Sequence, residues 1–320
     1  MASVAILGAS GQIGRGLASI MARDAACRLR LFARQPAAFE PQALSLGLLR
    51  PGIDEVRPLD SFENDRYDLV INAAGAGSRK RQLALGTEQQ RITEALDERV
   101  LAYLERWPDA TYANLSTGAI YGFGREWPVL RDSEFCASAD DAERLDVYPL
   151  AKLAAEARHR ALPQLRIYDI RIFGYFSRFI ALDDGFFLAE VAGAIVRGAP
   201  LRTPQADMVR DYVDQAELAA LIQALLRARP PNGAFDLYSG APVGKHELLE
   251  CLAREFGLRV HYEGAPAGPL APLPKPAAPS SCRRAAEIGH LPRRSSMEIV
   301  VGELKELVAM HERIHFAHTP

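Results

Sequence analysis

Cysteine is scarce: four in 320 residues, Cys27, Cys136, Cys251 and Cys282. None stands in C-x-x-C spacing, which argues against a disulfide scaffold or a zinc ribbon and for free thiols in a reducing compartment. An excess of charge is also missing. Thirty-eight basic against 40 acidic side chains leave a formal net charge of −2, so bulk electrostatics points neither to nucleic acid nor to an anionic membrane. No apolar run is long enough to span a bilayer. The opening MASVAILGASGQIG has no basic flank and passes at once into glycine-rich sequence, so no signal peptide is expected and the location is read as cytoplasmic. No internal repeat is visible. What remains, 48% hydrophobic and 24% charged, is the make-up of an ordinary globular chain with a substantial core.

Apolar patterning alternates through the first half. SVAILGA reads as a buried strand and IGRGLASIMARD as the helix after it; RLRLFAR, YDLVINAAG, ATYANLSTG and LRIYDIRIF read as further strands. RITEALDERVLAYLERW and PLAKLAAEARHRAL carry helical spacing between the later ones. Strands alternating with helices predict an α/β fold, a Rossmann-like doubly wound parallel sheet covered on both faces. The C-terminal part is mostly helical in pattern, broken by the proline-rich stretch GAPAGPLAPLPKPAAPSS, 264–281, which excludes regular helix. The expected division is a dinucleotide-binding domain over 1–170, with 205–230 returning to it, and a smaller substrate-binding lobe from 171–204 and 231–320. The cleft between them is where a ligand should sit.

GASGQIG, Gly8 to Gly14, follows the first strand and opens the first helix. Gly8 permits the tight turn, Gly11 lets the backbone approach a pyrophosphate and Gly14 allows close helix–strand contact; with Ser10, Gln12 and Ile13 they form the expected phosphate loop. A plain glycine turn is the alternative. The second strand ends in LRLFARQP, with Arg34 where an acidic residue would hold the 2′-hydroxyl of NAD. An arginine there suits a 2′-phosphate, so NADP(H) is favoured over NAD(H), with a surface arginine as the bland reading.

VYPLAK places Tyr148 and Lys152 four apart, on one face of a helix whose first turn accepts Pro149. A free tyrosine, with a pKa of about 10, is a poor acid–base at neutral pH; a neighbouring ammonium lowers that value and equips the pair for proton transfer to an oxygen. NLSTGAIYG puts Thr117 at a strand's carboxyl end, where a hydroxyl can hold the same oxygen. NAAG, Asn72, Ala73, Ala74 and Gly75, ends another strand with small residues beside which a cofactor can lie. Each has a plainer reading, as a cap or a turn.

The order GASGQIG, NAAG, STGAIYG, YPLAK, continued by RIFGYF and VRDYVDQAELA, resembles the extended short-chain dehydrogenase/reductase family, in its nucleotide-sugar epimerase, dehydratase and ketoreductase group. GAFDLYSGAPVGKHELLE is similar to a strand and helix near that family's C-terminal lobe, so the resemblance covers nearly the whole chain. It implies Tyr148 as the acid–base residue, Lys152 as the group that lowers its pKa and binds the nicotinamide ribose, and Thr117 as the polariser of the reacting oxygen. It further implies that Asp60 and Ser61 contact adenine and that Arg210 holds a sugar nucleotide's diphosphate, with Tyr175 beside it in the substrate pocket. Four departures narrow the chemistry. The family's 4,6-dehydratases carry Asp-Glu after the threonine, where this chain has Gly118-Ala119; Ala119 also replaces the cysteine of the double epimerase-reductases. Gly174 stands where members often have a substrate-binding Asn. The R-P-x-D phosphate clamp is absent from 264–281; Arg283 or Arg284 is a candidate replacement, with surface charge the alternative.

HERIH, His311 to His315, fits the H-E-x-x-H pattern of zinc proteases, but only His318 follows as a third ligand, so the stretch is read as the end of an amphipathic helix and no metal is expected. The expectation is an NADP(H)-dependent reductase of a keto-sugar, of the nucleotide-linked 4-keto-6-deoxy class. A nucleotide-sugar epimerase with retained cofactor is the alternative, and a non-enzymatic dinucleotide sensor a further one. The partners expected are a small-molecule substrate and a second copy of the chain, joined through the two helices named above, with neither nucleic acid nor membrane.

Overall fold

The computed structural model describes residues 1–75, 88–121, 147–264, 280 and 282–317. Strand β1 (Ala2–Leu7) leads through the glycine turn into α1 (Gln12–Met21), then β2 (Cys27–Ala33), α2 (Pro36–Ser45), β3 (Glu55–Pro58), a 3-10 turn at Leu59–Asn64 and β4 (Leu69–Asn72). Next come α3 (Glu88–Arg106), β5 (Thr111–Thr117), a 3-10 turn at Gly118–Tyr121, α4 (Val147–Arg160) and β6 (Arg166–Ile172). The remainder is α5 (Phe187–Arg197), β7 (Leu201–Pro204), β8 (Val209–Arg210), α6 (Gln215–Ala228), β9 (Gly233–Leu237), β10 (Val243–Gly244), α7 (Lys245–Phe256), β11 (Val260–Glu263), α8 (Arg284–Glu287) and α9 (Ser296–Ala317).

Seven strands form one sheet in the order β3-β2-β1-β4-β5-β6-β9, every neighbouring pair parallel. The order reverses between β1 and β4, which makes the crevice above their carboxyl ends the switch point where doubly wound sheets take their ligands. Both faces are covered, and so the central strands bury nearly every residue: β5 exposes only part of Thr117. One face packs Ile6, Leu29 and Leu31 under Leu17, Leu218 and Ile222 of α1 and α6. The other packs Leu7, Phe32 and Tyr112 with Phe62, Tyr67 and Val100. A third apolar cluster joins α5, β7, α7 and α9 through Leu188, Leu201, Leu252 and Leu304. Two small ladders, β8 with β10 and β7 with β11, flank it. No described helix is long and apolar enough to cross a membrane.

The alternating pattern read from sequence thus appears as the fold's central elements, with two additions. β3 is half-exposed and charged, with Arg57 paired to Glu55 and Asp65; an edge strand with polar side chains lacks the apolar run by which a buried strand is recognised. α2 contains Pro41, a residue that discourages a helical reading, but its Pro36 sits at the helix start, where a missing N–H costs nothing. The described cysteines, Cys27, Cys251 and Cys282, are free thiols; Cys136 lies outside the described residues.

Candidate active site

The glycine turn is built by close approach. Gly8 has φ +77°, and a Cβ there would sit 2.6 Å from Ala74 Cα; a Cβ on Gly14 would sit 2.5 Å from the Gly8 carbonyl. No side chain fits at either, so the loop end of β1 lies directly against Ala73 and Ala74 beyond β4. Among the described residues, a Cβ at Gly11 would meet only the Gly8 carbonyl, at 3.3 Å, and at Gly75 it would meet nothing within 4 Å. Gly11 closes the turn by donating its N–H to Gly8 O at 3.0 Å, and α1 begins at Gln12 with its first N–H groups facing the crevice. The side-chain amide nitrogen of Gln12, Nε2, is buried with no hydrogen-bond partner among the described residues, an unused donor beside the helix start that fits a polar or anionic ligand. The loop therefore fits a dinucleotide, with Ser10 and Ile13 completing it.

Asn72 is buried and turns inward. Its amide donates to the Tyr112 hydroxyl at 2.9 Å while its carbonyl oxygen accepts from Ala74 N at 3.1 Å, so it shapes the NAAG turn and leaves the backbone of Ala73, Ala74 and Gly75 on the crevice side. Asp60 and Ser61 lie on the 3-10 turn after β3; Asp60 is exposed and Ser61 donates to Pro58 O at 2.8 Å. Arg34, just past β2, is exposed and pairs with no described carboxylate. It lines a cleft of about 470 Å³ with Ser10, Arg15, Gln35, Phe39 and Gln42.

Thr117 ends β5, half-buried, and its hydroxyl oxygen accepts from Ala119 N at 3.2 Å, which leaves its proton to donate. Lys152 lies on α4 with only 3% of its surface exposed. Tyr148 is in the first turn of the same helix, one turn before Lys152; only its backbone is described. Burial pushes the Lys152 ammonium below the ordinary lysine range, and Asp97, Asp169 and Glu156 oppose that shift. The Lys152 helix is locked to the strand end by a network not evident from sequence. Ser116 donates to Glu156 at 2.6 Å, Arg171 of β6 pairs with Glu156 at 2.6 Å, and Arg171 also donates to the Tyr121 hydroxyl, which donates to Asp236 of β9 at 2.9 Å. Ser280, at the end of the proline-rich stretch, donates to the same Asp236 at 2.6 Å. Glu156 stands four residues after Lys152, the one signal in the sequence that could have drawn attention to it.

Behind Lys152, both nitrogens of the fully buried His159 face carboxylates, Asp97 and Asp169, each at 2.9 Å. Burial disfavours the charged ring, but those two hydrogen bonds outweigh it and raise the pKa to about 9. Tyr112 and Arg158 complete Asp97, and Asn114 and Arg160 complete Asp169.

Both departures at glycine have a steric basis. A Cβ on Gly118 would collide with the Phe173 ring, which stacks on Tyr121 with centroids 6.0 Å apart. On Gly174 it would lie 2.7 Å from Asp211 O and 2.9 Å from the Tyr212 ring, because Gly174 and Phe176 exchange hydrogen bonds with Val213. The places of the dehydratase acid and of the substrate-binding Asn are filled. The Tyr175 hydroxyl sits against Gly16 of α1 and 3.5 Å from Gln215 of α6. Arg210, on β8, is half-buried and donates to Val209 O at 2.8 Å; burial lowers its pKa. In the HERIH stretch, His311 donates Nδ1 to Leu307 O at 3.0 Å as part of α9, and His318 lies outside the described residues.

A glycine loop at the switch point of a seven-stranded parallel sheet, with a lysine helix tied to the neighbouring strand end, is the architecture of a dinucleotide-dependent oxidoreductase or epimerase. The chain belongs to the NAD dependent epimerase/dehydratase family, whose model matches residues 4–237. It is 29% identical over 281 residues, 83% of each chain, to a dTDP-6-deoxy-L-talose 4-dehydrogenase (NAD(P)(+)) of Kitasatospora kifunensis. Among solved structures it superposes with TM-score 0.81 and 14% identity, over 98% of this chain and 100% of the other, on a UDP-glucose-4-epimerase from Stenotrophomonas maltophila with bound NAD and formylated UDP-arabinopyranose. A UDP-N-acetylglucosamine 4-epimerase from Methanobrevibacter ruminantium M1, in complex with UDP-N-acetylmuramic acid, superposes with TM-score 0.79 and 14% identity, over 97% and 99%. The solved neighbours establish the fold.

Proposed function

We propose that this enzyme reduces the 4-keto group of a nucleotide-linked 6-deoxy sugar with NADP(H). The observation that carries the proposal is the Ser116–Glu156 bond, which ties the Thr117 strand end to the helix that carries Tyr148 and Lys152. When bound, the dinucleotide supplies hydride to the carbonyl carbon. Thr117 donates a hydrogen bond to the carbonyl oxygen, and Tyr148 delivers a proton to it as charge develops there. The buried Lys152 ammonium stabilises the phenolate that Tyr148 becomes. Asp60 and Ser61 serve the adenine side, and Arg210 holds the diphosphate of the substrate.

NADP(H) is supported by Arg34 at the end of β2, in a cleft whose described lining includes no carboxylate. Reduction at C4 is supported by the likeness to a 6-deoxy-talose 4-dehydrogenase, and water elimination is disfavoured by the filled space at Gly118. Incubation with NADPH and a panel of 4-keto-6-deoxy nucleotide sugars should oxidise the cofactor stoichiometrically with product. Tyr148→Phe should abolish turnover and spare cofactor binding. No oxidation with any member of the panel would overturn the reading.

Epimerisation is the second reading, favoured by the epimerase folds with bound NAD. Under it the purified protein carries tightly held dinucleotide and isomerises a nucleotide sugar with no added cofactor. Pairing of two copies through α3 and α4 is supported by the exposure of Ile92 and Leu150 on those adjoining helices.

A further inference from the structure

Resting on the NADP(H) reading above, we propose that Arg15 is the second arm of a clamp for the adenosine 2′-phosphate, opposite Arg34, and that it sets the preference for the phosphorylated dinucleotide. Arg15 lies in the first turn of α1, and its guanidinium is held in a fixed plane. Nε donates to the Ser10 carbonyl at 2.9 Å, Nη2 donates to Gln42 Oε1 at 2.9 Å, and the group lies 5.6 Å from the centre of the Phe39 ring. Those contacts use Nε and one Nη2 hydrogen, which leaves Nη1 and the other Nη2 hydrogen for an acceptor in the cleft.

The charge balance asks for such an acceptor. Arg15 is partly buried, which lowers its pKa by desolvation, and no described carboxylate pairs with it or with Arg34. A partly desolvated cation without a counter-ion is costly, and an arriving phosphate removes that cost. Because the plane is already fixed by Ser10, Gln42 and Phe39, little side-chain freedom is lost on binding. Arg34 is exposed and has no anchoring partner among the described residues, so it contributes charge, while Arg15 contributes geometry. Gln42, whose carbonyl oxygen orients Arg15, has its own amide hydrogens available to the same cleft.

The test is calorimetric titration of adenosine 2′,5′-bisphosphate and of 5′-AMP into the full-length chain stripped of nucleotide, at one salt concentration. Wild type should bind the bisphosphate more tightly. Arg15→Gln and Arg34→Ala should each weaken bisphosphate binding roughly 10- to 100-fold, with little change for 5′-AMP. Gln42→Glu, which places a competing carboxylate on Arg15 without touching the loop, should lower bisphosphate affinity selectively and serves if Arg15→Gln fails to fold. The clamp is refuted, with the NADP(H) reading intact, if Arg34→Ala removes the preference while Arg15→Gln and Gln42→Glu retain it. It is equally refuted if Arg15→Gln weakens both nucleotides alike, which marks Arg15 as support for the Ser10 turn. If wild type shows no preference, the NADP(H) reading itself fails and the clamp with it.

Discussion

Ser116 and Glu156 meet across 2.6 Å in the interior, a strand residue one place before Thr117 and a helix residue one turn after Lys152. Neither touches the crevice, and both bear on what does. The carboxylate also takes the Arg171 guanidinium, so three elements are registered by one buried side chain.

Removing that carboxylate should therefore cost stability and turnover together. Glu156→Ala takes from the half-buried Arg171 its shortest ion pair while Asp236 and Tyr121 remain, a loss of about 2–3 kcal/mol, below that of a fully buried pair; Glu156→Gln retains a hydrogen bond and should lose less. Denaturant unfolding of both variants, with turnover measured on the folded protein, checks the order. Equal stability of wild type and Glu156→Ala would show the pair to be idle.

The filled space around Gly174 and Gly118 makes a second expectation. Gly174→Asn, which restores the side chain common in the family, should destabilise by about 2 kcal/mol or more because the Asp211 carbonyl and Tyr212 ring must move. Gly118→Asp, displacing the Phe173 ring, should likewise lower the melting temperature and confer no dehydratase activity. Thermal unfolding and product analysis report both.

His159 makes stability depend on pH. The folded ring holds its proton with a pKa of about 9, against about 6.5 when unfolded. The stabilisation is thus fully present below the unfolded value and is lost as pH rises through the folded one. Unfolding midpoints should fall between pH 6.5 and 9.5, and His159→Gln should be less stable at pH 6.5 with a flatter profile. A wild-type midpoint unchanged over that range would contradict the charged Asp97–His159–Asp169 bridge.

The H-E-x-x-H match offers a simple control. His311 is engaged with its own helix through Leu307 O, so chelator treatment should leave turnover unchanged, and elemental analysis should find no stoichiometric zinc. Activity lost on chelation and restored by zinc would overturn this.

Much of the fold was legible because its elements are strongly periodic: β1, β2, β4, β5 and β6 are apolar runs, and α3, α4 and α9 carry amphipathic spacing. Edge strand β3 and the proline-containing α2 were not, since their patterns are weak and their positions are decided by neighbours. At the site, the motifs naming Gly8, Gly11, Gly14, Thr117, Tyr148 and Lys152 are local in sequence. Asn72, in the NAAG turn, points its side chain toward Tyr112, and the Tyr175 hydroxyl lies against Gly16 of α1; the direction of a side chain is set by what surrounds it.

Local order along the chain determined which chemical groups this protein owns, because glycine turns, strand ends and one-turn helix spacings are properties of a few consecutive residues. Which of those groups are closed off, paired or charged was decided only by tertiary structure. Glu156 finds Ser116 from 40 positions away, Arg15 finds Gln42 from 27, and His159 finds Asp97 from 62. Burial and charge pairing depend on distance in space, and no short stretch of sequence contains that distance.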